Sequence, residues 1–156
     1  MPQFKADTIQ VHIARFNEIF QDYEFLILKR SPDEQVYPNI WQVVTGRIEE
    51  GEVAFAAAIR EVTEETGLVP SRIWTVPTVT IFFNAQKDVI NHAPVFGFLV
   101  SQQLEVEISN EHSEYKWLDL NNVLNLLALP SHKHSTEIFY EYCLKSISSD
   151  IFEVKL

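Results

Sequence analysis

The sequence is poor in several features that mark particular classes of protein. Cys143 is its only cysteine, which excludes an internal disulfide, and we interpret a lone cysteine in a late helical segment as a small core residue. No apolar run reaches the roughly 18 residues that a transmembrane helix requires. The first residues also lack the basic and then apolar stretches of a signal peptide. We therefore predict a protein without a membrane span, located in the cytoplasm.

Basic residues are scarce as well. The chain has 12 Lys and Arg against 22 Asp and Glu, a net charge of −10. Polymeric nucleic acid binds proteins through Lys and Arg, so we expect no such partner. A small phosphorylated ligand remains compatible, because a divalent cation held by carboxylates reverses the local charge. With 156 residues, 46% of them hydrophobic, the chain is expected to form one globular domain over residues 1–156.

The hydrophobic pattern predicts a mixed α/β (α+β) fold rather than a regular βαβ alternation. Six segments have the short apolar or alternating pattern of strands: Thr8–Phe16, Phe25–Leu28, Ile40–Val44, Arg72–Phe83, Pro94–Val100 and Tyr115–Leu118. Pro77 interrupts the fourth segment, so we expect an edge strand or two strands there. In the first segment Ile9, Val11 and Ile13 alternate with polar residues, and His12 on the polar side is expected at the surface.

Three further segments have helical spacing. The strongest runs from Val53 to Thr66, a short helix is expected to begin at Asp119 or Asn121, and a last helix is expected to begin at Ser131 or Ser135. The polar segments Ser31–Asn39 and Asn84–Ala93 are predicted to be loops. The segment Gln102–Asn110 fits either a short strand or an extended loop.

The stretch from Gly46 to Leu68 is unusually rich in glutamate. Its six glutamates against Arg47 and Arg60 give a net charge of −4 out of the −10 of the chain. On the predicted helix, apolar residues at spacing i, i+3, i+4 and i+7 share one face: Phe55, Ala58, Ile59 and Val62. Glu61, Glu64 and Glu65 fall within a stripe of roughly 100° beside that face.

Three carboxylates this close together repel one another unless a cation offsets their charge. Their oxygen atoms suit Mg²⁺, with Mn²⁺ as the alternative. The backbone carbonyl of Thr45 is a further candidate ligand, because the glycine that follows it allows the backbone to approach a metal closely. Arg60 is placed to hold Glu52 or another acid in orientation beside the metal. A solvated acidic helix is the competing interpretation of the glutamates alone.

A longer pattern disfavours that competing interpretation. The spacing G-x5-E-x7-R-E-V-x-E-E-x-G-L is met at every constrained position: Gly46, Glu52, Arg60, Glu61, Val62, Glu64, Glu65, Gly67 and Leu68. This pattern resembles the Nudix box, the signature of the Nudix hydrolase family, with no departure. Nine constrained positions over 23 residues make a chance match very improbable.

The resemblance implies an α/β/α sandwich with a mixed β-sheet, in which the box forms a loop, a helix and a loop. Family members hydrolyse a nucleoside diphosphate linked to another moiety, using Mg²⁺. By position, Glu61, Glu64 and Glu65 resemble the metal-binding glutamates, and Glu52 and Arg60 resemble a supporting pair. In this chemistry the metal neutralises the pyrophosphate and activates a water, a carboxylate takes the proton, and the water attacks phosphorus in line.

The resemblance also directs attention to the segment Glu111–Asp119, because an E-H-x-x-Y-K/R-W-L pattern recurs in several Nudix subfamilies after the strands that face the box. Glu111 is the candidate base or additional metal ligand, with Glu114 as the second choice. His112 is interpreted as a structural residue, with a phosphate contact as the alternative.

The substrate is predicted less closely than the family. The segment from Trp41 to Glu52, W-Q-x-V-T-G-x-[VI]-E-E-G-E, resembles the bacterial subfamily that cleaves dihydroneopterin triphosphate. A nucleoside- or pterin-triphosphate-like substrate is therefore expected, with Lys29, Arg30, Trp41 and Arg47 as candidate substrate contacts. A hydrolase of ADP-ribose or of a dinucleoside polyphosphate is an alternative, and a non-catalytic nucleotide sensor is another. Monomer and homodimer are both left open.

Overall fold

The computed structural model describes residues 1–156, with a single nine-stranded sheet and three α-helices. The strands are β1 Gln3–Lys5, β2 Thr8–Asn17, β3 Asp22–Arg30, β4 Trp41–Gln42, β5 Val44–Arg47, β6 Arg72–Asn84, β7 Val89–Leu99, β8 His112–Leu118 and β9 Glu153–Val154. The helices are α1 Ala54–Thr66, α2 Leu120–Leu126 and α3 Pro130–Ile138, which continues as a π-helical segment, Phe139–Leu144. A 3-10 turn, Ser149–Phe152, precedes β9. None of these helices is both long and apolar enough to span a bilayer.

The sheet is mixed, as predicted. The long strands lie in the order β3-β2-β7-β6, with β9 beyond β6. Strand β7 is parallel to both β2 and β1, and every other pair is antiparallel. Strand β5 pairs with the first half of β2, while β8 pairs with β3 on the side away from β2.

Both faces of the sheet are covered. The first core lies between the sheet and α1, and includes Ile9, Val11, Leu26 and Leu28 with Ala57, Ala58 and Val62 of the helix. The second core lies on the other face, and includes Phe25, Ile27 and Trp74 with Val123, Leu127 and Phe139 from the later helical segments. Because successive strand residues point to opposite faces, each core takes alternate residues of an apolar run. The predicted α/β/α sandwich is confirmed.

The prediction that His12 lies at the surface is wrong. Only 1% of His12 is exposed, and its neighbour on the same face, Gln10, is similarly buried. Helix α3 covers this face, and Thr136 forms a 3.1 Å hydrogen bond with Nδ1 of His12. Gln10 lies 2.7 Å from Nε2 of His12 and accepts a hydrogen bond from Thr80. These bonds satisfy polar groups that would otherwise be costly to bury.

Several element boundaries also differ from the predictions. The expected strand Ile40–Val44 is divided at Val43, since β4 pairs with β3 and β5 pairs with β2. The expected loop over Asn84–Ala93 is shorter, because Val89 already begins β7. Helix α3 begins at Pro130 rather than at either serine, and a proline is well tolerated in the first turn of a helix. The segment Gln102–Asn110 has no regular structure, and Cys143 is buried in the second core as predicted.

Candidate metal and hydrolytic site

Helix α1 places the predicted glutamates on one side of the molecule. It begins at Ala54, one residue after the predicted start, and ends at Thr66. Gly67 closes it with φ of 70°, the left-handed conformation that glycine adopts without steric cost. The apolar face packs on the sheet, and this orientation turns the glutamates towards β5 and the segment before β8.

Strand β5 lies directly against α1 at Gly46. A Cβ atom at this position would overlap the side chain of Glu61. Any residue with a side chain at this position would therefore displace Glu61. This steric conflict explains why the motif has a glycine here.

Arg60 connects the acidic residues at the start of the helix with those in its middle. Its guanidinium donates two hydrogen bonds of 2.9 Å to Glu52 and one of 2.9 Å to Glu61. A longer bond of 3.4 Å reaches Glu64, and another of 2.9 Å reaches the carbonyl of Arg47. The bonds from Arg60 hold the pKa of Glu52 at about 2. The predicted supporting pair, Glu52 and Arg60, is thus in direct contact.

Glu65 has a different environment. It is 4% exposed, and its Oε2 atom is buried without a hydrogen-bond partner. Burial, together with the negative charges of Glu111 and Glu61, raises the pKa of Glu65 to about 9. Burial also raises the pKa of Glu61, against the effect of Arg60. An unpaired buried carboxyl oxygen beside two other carboxylates is an arrangement that a bound cation would stabilise.

The segment before β8 brings Glu111 opposite the helix. Two backbone hydrogen bonds attach this segment to the end of α1, from Glu107 to the carbonyl of Thr66 (2.9 Å) and from Ser109 to that of Glu65 (3.3 Å). On the other side, Ser31 donates a 2.8 Å bond to the carbonyl of Glu111. The position of Glu111 is therefore fixed by backbone contacts at both sides.

These elements enclose a cleft of about 320 Å³ that no hydrophobic residue lines. Its walls are Glu61, Glu64, Glu65, Ser109, Asn110 and Glu111. Sequence reasoning did not identify Ser109 and Asn110, although both lie directly before the predicted Glu111. No group of three or more acidic, histidine or cysteine side chains is arranged so that it could coordinate a metal ion. Glu61 and Glu64 instead accept hydrogen bonds from Arg60.

The remaining predicted contacts lie in two places. The side chain of Arg47 lies on the face away from α1, because Arg47 pairs with Thr8 whereas its neighbour Gly46 faces Glu61 of the helix. Arg30 pairs with His112, whose side chain contacts Gln42 opposite Leu28 of the first core, so Arg30 lies on the α1 side of the sheet. Lys29 and Trp41 instead face the second core: Trp41 packs against that core, and Nζ of Lys29 lies 5.9 Å from the Trp41 ring.

The two other candidate residues of the Glu111 segment, Glu114 and His112, do not line the acidic cleft. Glu114 pairs with Lys29 across the strands and lies 3.9 Å from its Nζ, away from the acidic cleft. His112 is buried, and its Nε2 lies 3.2 Å from Gln42. Burial lowers the pKa of His112 to about 4. Glu111 is thus the acid of this segment that lines the cleft with the helix glutamates. Thr45 lies directly before Gly46, and its carbonyl stays a predicted ligand.

Comparison with known proteins places this site in a family. The chain matches the NUDIX domain family over residues 10–141. Among curated proteins, it is 31% identical over 108 residues to the nucleoside triphosphatase NudI of Escherichia coli K12, covering 64% of this chain and 76% of that protein. It is also 31% identical over 109 residues to an octanoyltransferase of Myxococcus xanthus, covering 65% of this chain but only 28% of that longer protein.

A solved structure shares the same architecture. The dihydroneopterin triphosphate pyrophosphohydrolase of E. coli superposes with a TM-score of 0.70 and 26% sequence identity, covering 90% of this chain and 99% of that one. The motif, the sheet topology and the family match agree with one another. The chain therefore belongs to the Nudix hydrolase family.

Proposed function

We propose that this protein is a divalent-metal-dependent pyrophosphohydrolase, which cleaves a phosphoanhydride bond of a nucleoside- or pterin-triphosphate-like substrate. The observation that carries the proposal is the convergence of Glu61, Glu64, Glu65 and Glu111 on one wholly polar cleft. Such a set of acids repels a phosphate group by itself, and attracts it once a cation is bound.

The residues of the cleft fit a hard cation such as Mg²⁺ or Mn²⁺. Glu61, Glu64 and Glu65 would hold it, since they offer carboxylate oxygens only, and the carbonyl of Thr45 is a further candidate. The buried Oε2 of Glu65, which has no hydrogen-bond partner, supports this fit, because a buried carboxyl oxygen normally has a donor or a cation beside it. When bound, the cation supplies charge neutralisation at the phosphates and makes an attacking water more acidic.

The protein's own groups supply orientation and proton transfer. Arg60 fixes Glu52 and one oxygen of Glu61 through hydrogen bonds of 2.9 Å, so these carboxylates keep their direction. Glu111 is exposed at the opposite wall and is our proposed base, which would take the proton of the attacking water. Glu61 is the alternative base.

Two relatives of the chain support the substrate class. NudI and the E. coli pyrophosphohydrolase are both named for triphosphate substrates. Arg30 is our proposed phosphate contact because it lies on the α1 side of the sheet. Arg47 is proposed as a second phosphate contact because it is exposed at the end of β5, directly after Gly46. Lys29 and Trp41 lie on the other face and are proposed contacts of the organic part of the substrate.

A turnover screen tests the proposal. The purified protein is incubated with Mg²⁺ or Mn²⁺ and canonical or damaged nucleoside triphosphates, dihydroneopterin triphosphate, ADP-ribose and dinucleoside polyphosphates, and released phosphate and pyrophosphate are measured. We expect turnover of a triphosphate that is lost with a chelator. Preference for ADP-ribose or a dinucleoside polyphosphate would favour the alternative substrates, and binding without turnover would favour a sensor.

Replacement of one carboxylate tests the site itself. Glu61→Gln keeps the size of the side chain and removes its charge, and we expect turnover to fall by about 100-fold or more while the fold is kept. Glu137→Gln is the matched control, since Glu137 is an exposed glutamate of α3. Unchanged turnover in Glu61→Gln would exclude the assigned metal site.

A further inference from the structure

Strand β6 has a part of its outer edge that no strand covers. It pairs with β7 along one side, whereas on the other side β9 pairs only with Ile73 and Trp74. Pro77 lies within the register shift between Thr75 and Val79, and a proline has no N–H to donate. The uncovered edge therefore runs from Thr78 to Asn84, about 23 Å at the usual rise of an extended strand.

The side chains along this edge are apolar and exposed. The exposed fractions are 51% for Val79, 59% for Ile81, 47% for Phe82 and 56% for Phe83. Alternate residues lie on opposite faces of the sheet, so Val79, Ile81 and Phe83 share one face and Phe82 lies on the other. Proteins usually protect an open edge with charges, a bulge or a covering segment. Here the register shift and Pro77 protect only the beginning of the edge.

The charge distribution favours contact at this edge over contact elsewhere between two copies. A chain with a net charge of −10 repels a second copy of itself over most of its surface. No Asp, Glu, Lys or Arg occurs from Ile73 to Gln86. The uncovered edge lies entirely within this uncharged segment, so the side chains of two paired edges bring no like charges together. The nearest acids of the helical layer, Glu137 and Glu141, lie beside Pro77, before the uncovered edge begins.

The edge is also complementary to itself. When two identical strands meet antiparallel across a twofold axis, each outward N–H group faces a carbonyl group of the other copy. We propose that two copies of this chain associate by antiparallel pairing of their Thr78–Asn84 segments, which joins the two sheets into one continuous sheet.

The size of the surface sets the strength of the association. A fully exposed large apolar side chain has a surface of roughly 200 Å², so the four partly exposed side chains of the edge together expose roughly 400 Å² of apolar surface per copy. A standard interface buries about 800 Å² per partner. The edge therefore fits a weak, reversible dimer that forms at micromolar or higher concentration.

The dimer leaves the acidic cleft accessible. Strands β7 and β2 lie between β6 and β5, the strand that contacts Glu61 of the cleft, so about three strand spacings, roughly 14 Å, separate the edge from that strand. The association therefore does not depend on the proposed function. A variant of the edge is expected to keep the turnover of the wild type.

Sedimentation equilibrium over a range from about 1 to 300 µM tests the pairing. We expect the wild-type mass to rise from 18.1 kDa towards twice that value, whereas Ile81→Lys stays at 18.1 kDa throughout. The control is Ile19→Lys, which makes the same change of charge at an isoleucine that is 84% exposed in the turn between β2 and β3. Wild type that stays at the monomer mass, or Ile81→Lys that still dimerises, would overturn the proposal.

Disulfide trapping tests the register independently. Cysteine is introduced singly at Val79, Ile81 or Phe83, and Cys143 does not interfere because it is only 1% exposed. We expect mild oxidation to cross-link the position at or next to the twofold axis, and not a cysteine placed at Ile19. If none of the three positions cross-links above the Ile19 level, the antiparallel pairing is excluded.

Discussion

Arg60 is the residue that orders the acidic cluster. Its planar guanidinium donates to both carboxylate oxygens of Glu52, to Glu61, to Glu64 and to the carbonyl of Arg47. A lysine carries the same charge, but it offers three donors from one point and cannot reproduce a fork that spans several acceptors. The geometry, and not the charge alone, is therefore what Arg60 contributes.

Arg60→Lys is expected to lower turnover by about 10- to 100-fold, the usual effect of losing a group that orients a metal ligand. The measurement is kcat and KM as a function of Mg²⁺ concentration, with a higher Mg²⁺ requirement in the variant. Arg72→Lys is the matched control, because Arg72 makes a similar fork with Glu153 at 2.6 and 3.0 Å near β9. Equal effects of the two substitutions would show that Arg60 acts only through stability.

At the scale of elements, the site depends on how closely β5 approaches α1. Gly46→Ala tests this approach, because the new methyl group would overlap Glu61. The obstacle is a flexible side chain, so we expect Glu61 to move while the fold survives. A displacement of about 1 Å in a catalytic group can cost about 100-fold in rate. The measurement is turnover, with thermal unfolding recorded on the same sample.

Gly51→Ala provides the contrast for Gly46→Ala. Gly51 has φ of +78°, and an added Cβ atom would have no neighbour within 4 Å. Strain of about 1 kcal/mol is expected in the loop, with little loss of turnover. If Gly46→Ala kept wild-type turnover while Gly51→Ala lost it, the position of Glu61 would not control the reaction.

The elements differ in how well the sequence predicts them. The sequence predicts helix α1 to within one residue, because its apolar spacing, its glycine terminus and the family motif all indicate the same segment. It does not predict the burial of His12, because alternation within one strand cannot show that a distant helix covers the polar face. It predicts a loop at the beginning of β7, over Val89–Ala93, because the polar residues Asn91 and His92 resemble a loop in the sequence.

At the scale of the molecule, the cleft combines segments that are far apart in the sequence. The glutamates of α1 could be predicted because they lie within 23 consecutive residues. Ser109 and Asn110 could not, because their place depends on the backbone bonds that attach their segment to the end of α1. Alternation predicts that Lys29 and Arg30 lie on opposite faces of β3, but which of the two faces the cleft depends on the side of the sheet that α1 covers. A motif therefore predicts the wall of the cleft that α1 forms better than the wall that faces it.

The second core contains polar groups whose protonation is linked to the stability of the whole molecule. His132 is 3% exposed, and its Nδ1 accepts a 3.4 Å hydrogen bond from the backbone of Val43. Burial lowers the pKa of His132 to about 4. Burial also lowers the pKa of His12, and the charge of the nearby His132 lowers it further. Both histidines are therefore neutral in the folded protein at neutral pH.

His132→Gln is expected to reduce the loss of stability in acid. Between pH 6.5 and about 4 the unfolded chain binds a proton at His132, whereas the folded protein does not. The free energy of unfolding therefore has its full value above pH 6.5 and decreases as the pH is lowered towards 4. For a pKa change of this size, the decrease in the free energy of unfolding reaches about 3 kcal/mol. Urea unfolding at several pH values should show that the free energy of unfolding depends less steeply on pH in His132→Gln than in the wild type.

His134→Gln is the control, because His134 is exposed on the same helix and this variant should keep the pH dependence of the wild type. Identical pH dependence in all three proteins would show that burial of His132 does not contribute to acid sensitivity.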